Sequence, residues 1–143
     1  MSNPSQRMET PALNVIDTSR FPVVHLHGPN LVPGDGPRII ADLETLIQYG
    51  KAFVLVILNN EHPHPRQHDE DKARMLWLKE NKTRLAAVCH GIISVMPDSQ
   101  RLPLIKKQAA GLQAALGIAF LVASRLADAE MEAVALLKEI KPI

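Results

Sequence analysis

Two hydrophobic periods take turns along this chain. Residues 14–17 and 23–27 are short β-prone runs parted by Thr18-Ser19-Arg20-Phe21-Pro22, which predicts an opening hairpin. Residues 28–36 are rich in proline and glycine and read as loop. Ile39, Ile40, Leu43, Leu46 and Ile47 then share one helical stripe. Pro37 suits the first turn of that helix and Gly50 a left-handed exit. The run 52–58 is apolar throughout and rich in β-branched residues, the pattern of a strand covered on both faces. A polar loop over 61–68 leads to Asp69-Glu70-Asp71, whose charges favour a helix N-terminus, and Ala73, Leu76 and Trp77 share a face of the helix that follows.

Residues 85–89 predict the next strand, and 91–103 a longer irregular connection whose 92–95 stretch could lengthen that strand. Ile105, Ala109, Leu112 and Leu116 return to helical spacing, with Gly117 as the stop. A buried strand over 118–123 comes next, then a helix opened by Asp128 with Met131, Val134, Leu137 and Ile140 on its apolar side. The order β-β-α-β-α-β-α-β-α predicts an α/β fold, a single-layer and mostly parallel sheet with right-handed crossover helices. Residues 1–12 are polar and proline-bearing, so a flexible tail is expected ahead of a single domain over 13–143.

Composition narrows the function. With 143 residues, 46% of them hydrophobic and 22% charged, the chain can build a core without disulfides or a structural metal. Sixteen basic against fifteen acidic residues leave a net charge of +1, no field for a nucleic acid or an anionic membrane. Aromatics at 3% give few platforms for stacking bases. The longest apolar runs, 52–58 and 114–123, fall short of the ~20 residues of a membrane span, so no membrane partner is expected. The polar opening is unlike a secretory leader and the single Cys89 has no internal disulfide partner, which together predict a cytoplasmic protein.

In element order and size over 14–141 the chain resembles the STAS family, the domain of anti-sigma-factor antagonists and sulfate-transporter tails. The resemblance lies in the hairpin ending Val23-Val24-His25-Leu26-His27-Gly28, the central strand Phe53-Val54-Leu55-Val56-Ile57-Leu58, and the late pattern of 112–117, Phe120 and 133–137. It implies a switch or interaction module working through protein contacts. The antagonists of that family carry a phosphorylatable Ser or Thr where the central strand meets the next helix. Here residues 59–71 contain no hydroxyl residue, so a kinase-controlled switch at that junction is not expected.

Six histidines carry the strongest hint of chemistry. His25 and His27 alternate on one strand face, His62, His64 and His68 lie in the loop after the central strand, and His90 follows Cys89. In a parallel sheet, ligands bind beyond the carboxyl ends of the strands. His27, Asn60, His90 and Arg125 are therefore candidate ligand-binding residues. His62, His64 and His68 are candidate ligands for zinc or another transition metal, since neutral imidazole suits such ions. The plainer account is a solvated loop stiffened by Pro63 and Pro65. Cys89 and His90, as strand neighbours, would point to opposite faces, which favours an inert thiol over a nucleophile with its base. No phosphate loop, dinucleotide fingerprint or nucleophile elbow occurs, and no catalytic residue can be assigned. Arg101, Lys106 and Lys107 gather at the start of the third helix, where an anion could dock, but a solvated basic face partly balanced by Asp98 is the favoured account. The leading expectation is a non-enzymatic protein-interaction or regulatory module that self-associates. The alternative is a metal- or small-ligand-binding protein, or an enzyme, with a histidine-lined pocket at the strand ends.

Overall fold

The computed structural model describes residues 13–27, 34–58 and 68–138. Among these residues ten elements follow in chain order: β1 (Ile16–Asp17), β2 (Val23–His27), α1 (Gly36–Tyr49), β3 (Phe53–Leu58), α2 (His68–Glu80), α3 (Lys82–Ala86), β4 (Cys89–Val95), α4 (Leu102–Leu116), β5 (Phe120–Ala123) and α5 (Leu126–Lys138). The strands form one sheet in the order β1-β2-β3-β4-β5, with β1 antiparallel to β2 and every later pair parallel. The chain thus has the α/β architecture expected. The tail expected over 1–12 lies outside the described residues.

Because the parallel strands are laid down in sequence order, right-handed crossovers put their helices on one face. Ile39, Leu43 and Leu46 of α1 and Leu85 of α3 bury there against Val24, Leu26, Phe53, Leu55 and Ile92. Gly50 ends α1 at φ 79°, and its amide donates to the Leu46 carbonyl, as the stop signal predicted. Asp42 of the same helix is 1% exposed and anchors the start of the sheet. Its carboxylate accepts the backbone amides of Asn14, Val15 and Ile16 at 2.7–3.0 Å and the Asn14 side-chain amide at 3.1 Å.

Among the described residues the opposite face carries one helix, α5, which packs chiefly on β3 and β4. Ala129 and Ala133 are fully buried against Val54, Val56, Ile93 and Val95, and their small side chains bring the helix axis close to the strands. Gly91 has the same purpose from below, since a Cβ there would run into the Leu136 side chain. A helix is ~10 Å wide, whereas five strands spaced ~4.8 Å apart are about twice that. Among the described residues, both flanks of this face are therefore left without a helix over them.

One strand differs from the expected placement. Residues 82–86 form α3, and the strand runs from Cys89 to Val95: it includes the 92–95 stretch allowed as an extension but not 85–88. Leu85 is fully buried as a helix residue, and Ala86 and Ala87 favour helix over strand.

Candidate functional site

In register across the sheet, His27, Leu58, Val95 and Ala123 mark the carboxyl ends of the four parallel strands. His27 stands at one end of this row, and Arg125, two residues past Ala123, at the other. Three strand spacings, about 14 Å, part them, so they do not share a pocket. His90 does not join the row. It is the second residue of β4, next to Cys89, which pairs with Phe53 at the amino end of β3. The strand shift that created α3 carried His90 to the opposite end of the sheet. Asn60, His62 and His64 lie outside the described residues, as does the side chain of His68, whose backbone opens α2. Among the described residues, no group of three or more His, Cys, Asp and Glu side chains is placed to hold a metal ion.

Burial governs the chemistry of β4's first residues. The Cys89 thiol donates to the Gly91 carbonyl at 3.4 Å, and burial pushes its pKa up to about 12. A thiol held protonated in this way is no nucleophile at neutral pH. Burial likewise lowers the pKa of His90 and favours its neutral form. Trp77 serves the packing of the helices. Its indole N–H donates to Glu44 Oε2 at 3.1 Å, and Arg84 holds both oxygens of the same carboxylate at 2.8 and 3.1 Å. This clamp ties α1 to α2 and α3, and the Arg84 hydrogen bonds hold the Glu44 carboxyl below its ordinary range.

The two flanks beside α5 differ in kind. Over β1 and β2 the flank is polar. His25 is 4% exposed and its Nε2 lies 3.3 Å from Glu130 Oε2 of α5, which Arg20 also reaches at 3.2 Å. His27 stacks beside His25 with ring centroids 6.3 Å apart, and its Nε2 is 3.9 Å from Asp17 Oδ2. The Ser19 amide and hydroxyl, with a smaller contribution from the two histidines, hold the Asp17 carboxyl below its usual range. Every member of this cluster has a partner, and the His25–Glu130 contact fastens the far side of α5 to the sheet.

Over β5 the strand's own side chains are apolar, and among the described residues it is a free edge. β5 pairs with β4 on one side, and among the described residues no strand pairs with the other. Ile92 donates to the Ala119 carbonyl and Met96 to the Ala123 carbonyl. That parallel register turns the backbone groups of Leu121 and Ala123 toward β4 and those of Phe120 and Val122 outward. The Phe120 amide is taken by Gln113 Oε1 at 3.0 Å, which leaves Val122 as the open position. A groove follows this edge. Its first part, about 530 Å³, lies between α4 and α5 and is lined by Lys106, Ser124, Asp128, Met131 and Glu132. Its second, about 440 Å³, runs along α4 past Lys106, Ala110, Gln113 and Ala114. Met131 on its rim is 71% exposed, although the periodicity assigned it to the apolar side of the helix.

Of the residues singled out from the sequence, Lys106 belongs to this groove, while Arg125 bonds Asp128 on its rim at 3.3 and 3.4 Å. Gln113, Glu132 and the edge backbone of β5 carried no sequence signal, because Phe-Leu-Val-Ala reads alike for a central and an edge strand. Among the described residues, no helix is long and apolar enough to cross a membrane. No family model matches this chain, and no curated protein and no solved structure matches it.

Proposed function

We propose that this chain is a non-enzymatic protein-interaction module of STAS-like type that engages its partner through the free edge of β5. One observation carries the proposal: Val122 faces outward from an apolar edge strand, at the floor of a groove walled by α4 and α5. An edge of this kind offers unpaired backbone groups as a template for another strand, and natural proteins block such edges when they are not used. The resemblance in element order to a family of interaction modules points the same way. The single buried thiol suits the cytoplasmic setting that goes with this proposal.

A photo-crosslinking residue placed at exposed Ala114 tests it in the cells that produce the protein. The expected result is an adduct of discrete mass that disappears in Val122→Pro. Proline at that position removes only the outward-facing amide of an edge strand. An adduct of twice the chain mass identifies self-association, and any other mass a different protein. Absence of any adduct would contradict the proposal.

A further inference from the structure

We infer that the occupant of the β5 edge is an extended segment of another protein, with one row of basic side chains and one row of apolar ones. The inference rests on the interaction reading above and names the partner's chemistry. A strand added at Val122 sends its side chains alternately toward the α4 wall and the α5 wall. The α5 wall is acidic: among the described residues Glu132 has no ion-pair partner, and Asp128 pairs with the exposed Arg125 alone. Basic side chains answer that wall. The α4 wall offers Ala110 and Ala114 to apolar side chains, and Lys106 repels a base there. The two walls together therefore fix which row faces which helix.

A second copy of the chain fits less well. Its own β5 is Phe-Leu-Val-Ala and brings no charge to either wall. In a two-fold antiparallel pair, α5 would face its own copy, and Asp128 and Glu132 would meet carboxylates instead of bases. Like charges set opposite one another are a penalty that specific interfaces use to reject partners.

The test is calorimetry with a capped decapeptide of alternating valine and lysine, against a control of the same composition in two blocks. The protein's own charge of +1 gives no general attraction for lysine, so binding reports the groove. Saturable binding of the alternating peptide is expected, with the block peptide weaker by at least about tenfold. Asp128→Asn combined with Glu132→Gln, two changes on the helix surface, should weaken binding by a similar factor, and Val122→Pro should abolish it. Equal binding of both peptides, or no loss in the double variant, overturns the inference. Sedimentation equilibrium separates the two levels. No peptide binding, with a dimer that Val122→Pro dissociates, overturns the peptide partner and keeps the edge as an interface. No peptide binding and no dimer overturns the inference and leaves the edge without support from either kind of occupant.

Discussion

His90 sits at the amino end of β4, where burial lowers its pKa below the ordinary ~6.5 of histidine. The unfolded chain therefore binds a proton at this residue before the folded chain does. Its share of stability is complete above about pH 6.5 and is lost as the pH falls toward the folded-state value. The denaturation midpoint should fall between pH 7 and pH 5, and His90→Gln should show a smaller fall. An unchanged slope in the variant would contradict this placement. From sequence, the inert character of Cys89 was legible because strand neighbours point to opposite faces and so keep His90 from serving as its base. The position of His90 was not, since Cys89-His90-Gly91 fits the end of one strand and the start of another equally well until Leu85 is known to be helical.

At the scale of elements, the stripe of Ile39, Leu43 and Leu46 with Pro37 and Gly50 specified α1 almost to the residue, because periodicity and both stop signals agree there. The same helix carries a group that periodicity did not reveal. Asp42 lies among the buried residues of α1, and its partners are backbone amides 26–28 residues earlier in the chain. Asp42→Ala would leave those amides without an acceptor in a buried place, at a cost of about 3 kcal/mol. Urea unfolding should show that loss, while Asp42→Asn, which keeps one oxygen, should lose less. Equal stability of Asp42→Ala and the parent would mean that β1 is not anchored through α1. Gly91 shows a related limit. A glycine inside an apolar run looked like the end of a strand, whereas it marks the point where Leu136 of α5 comes down on β4.

Across the whole molecule, sequential strand order explains both the cover and the gaps. Among the described residues, crossover helices cover one face, and α5, which follows β5, covers only the middle of the other. The polar flank over β2 is closed by His25, Glu130 and Arg20, and the flank over β5 is open. The alternation of strands and helices was readable from hydrophobic period alone. Which strand lies at the edge depends on pairing between distant runs, and no local pattern encodes it. The central claim is that β5 presents an unused edge with Val122 turned outward, and amide hydrogen exchange on the isolated protein tests it most directly. Leu121 and Ala123, which face β4, should be protected, and Val122 should exchange on the order of 100-fold faster than either. Protection of Val122 equal to that of Leu121 would mean that the edge is already paired within the chain, and would contradict the account.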